Sequence, residues 1–176
     1  MARKGRWLLP LALGLSDGIL NALVLASGVL LHRGHDITLW LAFRVALVAF
    51  VTAIFTVFVA EYAHLRAELT RAEHELNFTT PGRLAASRLG RTVAREAVES
   101  ALVASIASFA GGMLPLVVGA SIPRYSWCSL LAAFAGLGML GVALARSGGG
   151  DRLTWSVALV VCGIVVTFVG AQLKIA

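Results

Sequence analysis

Apolar positions dominate the chain in five long runs, separated by short polar stretches. The runs extend from about Trp7 to Leu31, Ile37 to His64, Ala97 to Gly119, Trp127 to Ala145 and Leu153 to Lys174. A hydrocarbon core about 30 Å thick takes roughly 20 residues of helix, so the pattern predicts an all-α polytopic membrane protein with five transmembrane helices. No helix breaker separates the second run from the polar stretch Leu65 to Asn77, so the second helix is expected to continue beyond the membrane. Thr80-Pro81-Gly82 ends it, and Arg83 to Arg95 reads as a basic amphipathic segment lying among lipid headgroups. Three regions follow: 1–64 with the first two spans, 65–96 as a polar helical segment, and 97–176 with the last three spans.

The first run is broken by one ionisable residue, Asp17, in Gly14-Leu15-Ser16-Asp17-Gly18-Ile19-Leu20-Asn21. It lies roughly 15 Å along the helix from Trp7, close to the bilayer midplane. A carboxylate at that depth costs about 2.5 kcal/mol or more unless it faces protein or water, which makes Asp17 the leading functional candidate. Gly14, Gly18, Ala22 and Ala26 recur every four residues beside it and form a stripe on which another helix can pack closely. Asn21 lies one turn beyond Asp17 on the same face. The alternative is a helix-packing surface with a polar anchor.

In the second run, Arg44 stands near one end, where its side chain can snorkel to the headgroups. Thr52 and Thr56 follow four residues apart, and the run closes on Ala60-Glu61-Tyr62-Ala63-His64. Continued as a helix, it aligns Glu61, Glu68 and Glu75 at intervals of seven, with His64 and Arg71 on the same face. Oxygen and imidazole ligands of this kind suit divalent iron, manganese or zinc, although a solvated face of Glu and Arg pairs has the same spacing. Glu96 and Glu99 stand where the third run begins, at a depth close to Glu61, and could complete an acidic collar. The turn His32-Arg33-Gly34-His35-Asp36 offers further ligands or is simply an exposed loop. Asn77-Phe78-Thr79 is a formal glycosylation acceptor, discounted on a loop expected to be cytoplasmic.

Composition agrees with the class: 59% of the 176 residues are hydrophobic and only 14% charged. Cys128 and Cys162 fall inside apolar runs, so no disulfide or metal framework is implied. The basic start Arg3, Lys4 and Arg6 resembles a signal peptide, but the apolar run after it is too long and lacks a small-residue cleavage site, so it reads as a retained helix. The net charge of +6 is distributed unevenly. Arg3, Lys4, Arg6, Arg66, Arg71, Arg83, Arg88, Arg91, Arg95, Arg146 and Arg152 fall on one side of a five-span topology; Arg33, Arg124 and Lys174 fall on the other. That asymmetry predicts an N-in, C-out orientation with basic loops against anionic lipid, not nucleic acid. Hydrolase, zinc-protease and phosphate-loop motifs are absent, so the chain does not read as an enzyme.

Three short motifs resemble a known family. Asp17-Gly18-Ile19 in the first helix, Ala60-Glu61-Tyr62 at the inner end of the second and Gly111-Gly112-Met113-Leu114-Pro115-Leu116 in the third stand in the order and spacing of the vacuolar iron transporter family. The resemblance covers nearly the whole chain. It implies a homodimer of five-helix subunits in the cell (plasma or inner) membrane, with a pathway between the copies that exports Fe2+ or Mn2+ from the cytoplasm in exchange for protons. The metal is cargo, and no permanently bound cofactor is expected. Asp17 matches the family's membrane-embedded aspartate and Glu61 its glutamate at the cytoplasmic mouth. The 65–96 region corresponds to a shortened metal-collecting segment in which Glu68, Glu73 and Glu75 take part. Val57 stands where the family often has methionine, Ala60 where it has glycine, Ser16 where asparagine is usual and Asn21 where Thr or Ser is common. The pathway is therefore expected at Asp17, Asn21, Thr56 and Glu61, with metal ligation by Asp17, Glu61, His64, Glu68, Glu75, Glu96 and Glu99. The alternative is a non-transporting membrane scaffold that retains the family fold.

Overall fold

A first-turn proline and two polar caps mark where three of the helices begin. The computed structural model describes residues 7–31, 37–75, 88–121, 127–148 and 150–172. These form α1 (Leu8–Leu31), α2 (Leu39–Glu75), α3 (Arg88–Ser121), α4 (Cys128–Gly148) and α5 (Arg152–Gln172). Pro10 lies in the first turn of α1, where its missing N–H removes no helical bond. Thr38 caps α2, its hydroxyl oxygen accepting from the Leu41 amide at 3.2 Å. All five helices are long and apolar enough to cross a membrane. The architecture is that of a multi-pass integral membrane protein.

Two helices overrun the bilayer. α2 has 37 residues and α3 has 34, about 55 Å and 50 Å at 1.5 Å per residue, against a core of about 30 Å. The continuous second helix agrees with the sequence expectation. Arg88 to Arg95 do not: they form the first two turns of α3, not a separate segment in the headgroup plane. No proline stands between Arg88 and Ala97, Gly90 falls in the first turn of the helix, and the overrun of α2 supplies a surface where Tyr62, Arg66 and Leu69 line a small crevice with Gly90 and Val93. The described part of 65–96 is thus two helix extensions. Asn77 to Thr79, Thr80-Pro81-Gly82 and the His32 to Asp36 turn lie outside the described residues.

Contacts between helices define an up-and-down bundle. Gly14 and Gly18 of α1 lie on Ala104 and Ser108 of α3 in parallel, whereas Gly141 of α4 meets Ser156 of α5 in antiparallel sense. α1 and α3 form the centre, α2 packs mainly on α3, and α4 and α5 cover the opposite flank. The stripe at Gly14, Gly18, Ala22 and Ala26 is spent on this packing. A Cβ at Gly14 would overlap the Ala104 carbonyl oxygen, and one at Gly18 the Ser108 carbonyl oxygen. Ala22, Leu23 and Ala26 are fully buried, alongside Ala42, Leu116 and Leu137. Pro115 sits inside α3 and removes one backbone bond without ending the helix.

Apolar side chains also cover the outside. Phe55, Ile106, Leu114, Met139 and Phe168 are each more than 60% exposed, as a surface solvated by acyl chains requires. α5 is the most lipid-facing helix, burying only Gly163 and Gly170. The four tryptophans lie in two levels: Trp7 and Trp155 at the starts of α1 and α5, Trp40 and Trp127 at the starts of α2 and α4. Because alternate helices run in opposite directions, these levels mark the two faces of the bilayer, where indole rings are enriched.

Asp151 caps α5. Its carboxylate accepts from the Thr154 hydroxyl at 2.8 Å and the Thr154 amide at 3.3 Å, and the Thr154 hydroxyl is the main cause that holds its pKa below the ordinary 3.8. A carboxyl with a depressed folded-state pKa contributes stability that is complete above its ordinary pKa and disappears as pH falls through the lowered one. The wild type should therefore melt higher than Asp151→Ala in detergent at pH 6, with the difference closing below about pH 3.8. A difference that widens on acidification would show that the cap does not act through the carboxylate.

Candidate functional site: a groove between α1 and α2

α1 and α2 touch only lightly, and α3 lies beneath both. The result is an open groove along the α1–α2 seam, made of two cavities that share Thr52. The first, about 290 Å³, is lined by Leu13, Gly14, Asp17, Thr52, Ala53, Thr56, Val57, Ala60 and Glu61. The second, about 510 Å³, is lined by Asn21, Val24, Leu25, Leu41, Arg44, Val45, Val48, Ala49 and Thr52. On α2 the lining positions repeat at three and four residues from Leu41 to Glu61, so one helical face forms the wall throughout.

Asp17 is the central charge. It is exposed on the groove, and fully buried Ser108 of α3 donates a hydrogen bond to its Oδ2 at 2.9 Å. The same hydroxyl lies 3.4 Å from the Ala49 carbonyl oxygen of α2. That carbonyl also accepts from the Thr52 hydroxyl at 3.0 Å. One small side chain on α3 thus places its hydroxyl between the carboxylate of α1 and the backbone of α2, with its single proton on the shorter bond to Asp17. The close approach of Gly18 to Ser108 makes this geometry attainable, because any side chain at Gly18 would hold the helices apart.

The four residues expected on a pathway, Asp17, Asn21, Thr56 and Glu61, all line this groove. Glu61 is half-buried at the end from which α2 and α3 extend. The remaining expected ligands lie elsewhere. His64 and Glu68 are 3.4 Å apart on the exposed face of the α2 extension, a solvated pair worth little in stability. Glu75 is exposed at the end of α2, and Glu99 accepts from Arg95 at 3.0 Å. Glu96 is half-buried on α3. Among the described residues, no three His, Cys, Asp or Glu side chains converge as a metal cage within one chain. Glu73, off the expected acidic row, is the residue of the extension that is buried, at 5% exposure.

Ser108, Thr52 and Arg44 belong to the groove but were not among the residues expected on the pathway. In the sequence, Ser108 is one of several serines of the third apolar run, with Ser100 and Ser105. Its signal is that Ala101, Ala104, Ser108 and Gly111 or Gly112 form a small-residue face facing that of α1, in which a hydroxyl stands level with Asp17. A third cavity, about 440 Å³ between α1, α3 and α4, is lined only by apolar residues and glycines such as Leu15, Pro115 and Gly136. Its described lining offers no polar side chain to a solute. No protein-family model, curated protein or solved structure matches this chain.

Proposed function

We propose that this protein is a divalent-cation transporter, with Fe2+ or Mn2+ as cargo and protons as the coupled ion. The observation that carries this reading is the placement of Asp17, a mid-span carboxylate exposed to a groove that also holds Glu61, Thr52 and Thr56. Carboxylate, carbonyl and hydroxyl oxygens suit hard or borderline divalent ions. Metal and proton each bind the carboxylate, the proton converting it to the carboxylic acid, so the two compete for Asp17. That competition couples their movements in opposite directions.

The groove is open along one side, and a single chain supplies too few ligands to strip a cation of water. Two copies facing each other across their α1–α2 seams would supply a second Asp17 and Glu61 and exclude lipid, in keeping with the homodimer that the resemblance to vacuolar iron transporters implies. Glu61 then collects cations at the cytoplasmic mouth, on the N-in orientation read from the arginines. Residence in the plasma or inner membrane is part of the same proposal. A second reading, a non-transporting membrane scaffold, is favoured by Val57 in the groove at the position where the family often places a thioether.

Purified protein in vesicles loaded with a metal-sensitive dye separates the two. Mn2+ flux above that of protein-free vesicles, accelerated by an opposing proton gradient and accompanied by movement of protons, is expected. Absence of protein-dependent flux for Mn2+ and Fe2+ under every gradient would leave the scaffold.

A further inference from the structure

Besides Asp17 and Glu61, one charged side chain lines the groove among the described residues: Arg44. It stands on the same face of α2 as Glu61, 17 positions away, about 25 Å at 1.5 Å per residue. The groove therefore carries negative charge at one end and near its middle, and positive charge at the other end. Asp17 is level with the Ala49 carbonyl and Thr52, five to eight residues from Arg44, or roughly 8–12 Å of axial rise. A guanidinium stays charged at every relevant pH. Around Arg44 the groove is walled by Leu41, Val45, Val48 and Leu25, and among the described residues no carboxylate lines that half.

We propose that Arg44 is the specificity-determining residue that sets how strongly the groove discriminates cations by valence. This rests on the reading of Asp17 as a cation site. Coulomb energy scales with the charge of the bound ion, so Arg44 penalises a divalent ion twice as much as a monovalent one, and the penalty on affinity is squared. At about 10 Å and an effective dielectric constant near 20 the factor is about tenfold per unit charge. Screening over a Debye length of about 8 Å reduces it to roughly twofold. Arg44 thereby weakens the hold of Asp17 on a divalent cargo by about fivefold, which favours release over trapping. Repulsion also makes the Arg44 end the harder entrance for a divalent ion, so the groove fills from the Glu61 end.

Equilibrium binding tests this without requiring flux. Mn2+ binding to the purified full chain in nanodiscs would be followed by electron paramagnetic resonance. K+ would be measured as a competitor at constant ionic strength held with N-methylglucamine. Arg44→Gln should tighten Mn2+ binding about fivefold and K+ binding about twofold, whereas Arg44→Lys, which keeps the charge, should leave both near wild type. Equal shifts for the two ions, no shift, a lysine variant that behaves like glutamine, or Mn2+ binding that does not depend on Asp17 would each overturn the proposal. The transport reading fails on a different result: a wild type that binds Mn2+ and shows the Arg44 effect but moves no metal across vesicles.

Discussion

Asp17→Asn is expected to reduce Mn2+ flux by two orders of magnitude or more while leaving the bundle folded. Asparagine has the shape of aspartate, and its carbonyl oxygen can accept the Ser108 hydrogen bond that now ends on Asp17 Oδ2 at 2.9 Å, so the α1–α3 contact is kept. The negative charge is lost, and with it both the cation ligand and the proton acceptor. Removing a partner that merely orients a metal ligand costs roughly 10–100-fold in metal affinity; removing the ligand itself should cost at least the upper end of that range. Ser108→Ala measures the orienting term separately: the metal concentration for half-maximal flux should rise about tenfold, with a smaller effect on the maximal rate. Flux assays on both variants, paired with thermal melts in detergent, check the result. Undiminished flux in Asp17→Asn would remove the site from the pathway.

Gly18→Ala should be among the most destabilising single-methyl changes in the chain. The new Cβ would overlap the Ser108 carbonyl oxygen and crowd the Gly112 amide nitrogen at 2.7 Å. These are backbone atoms that no rotamer change can move, so α1 and α3 must separate along their shared face. Overpacking a core costs about 1–3 kcal/mol, and the upper end is expected where the obstacle is main chain. Membrane helices associate largely through close van der Waals contact, so a displacement at Gly18 also loosens the contacts at Gly14 and Gly111. Flux should fall as well, because Ser108 is carried away from Asp17. Gly138→Ala is the control: a Cβ there meets only Val160 Cγ2 at 4.0 Å, and replacing a mid-helix glycine by alanine gains about 0.5–1 kcal/mol of helix preference. Reversible unfolding in mixed detergent micelles should rank the two variants on opposite sides of wild type. Equal behaviour would mean that the small-residue seam is not what holds α1 to α3.

The span count, the unbroken second helix and the place of Asp17 within an apolar span could be read from local features: run length, the absence of Pro and Gly between Ile54 and Asn77, and one carboxylate among apolar neighbours. The groove residues Asn21, Thr56 and Glu61 were legible for the same reason, since periodicity places them on particular helix faces. The continuous start of α3 was misjudged because arginines at helical spacing suit a headgroup-level segment and a protruding helix equally well. The row of His64, Glu68 and Glu75 has the correct spacing for a shared face, but spacing says nothing about what stands opposite, and among the described residues no third ligand does.

Sequence alone thus determined how many times the chain crosses the bilayer and which residue cannot rest in lipid. Tertiary structure decided which faces meet. Only it spends the Gly14–Gly18 stripe on α3 within one chain, sets Ser108 against Asp17 across 91 positions and turns Arg44 into the same groove as Glu61. The physical reason is that acyl chains and protein interiors are equally apolar. In a soluble protein the hydrophobic pattern separates inside from outside, but in a bilayer it marks only depth, and partner choice passes to the shape of small residues and the few polar atoms that must be satisfied.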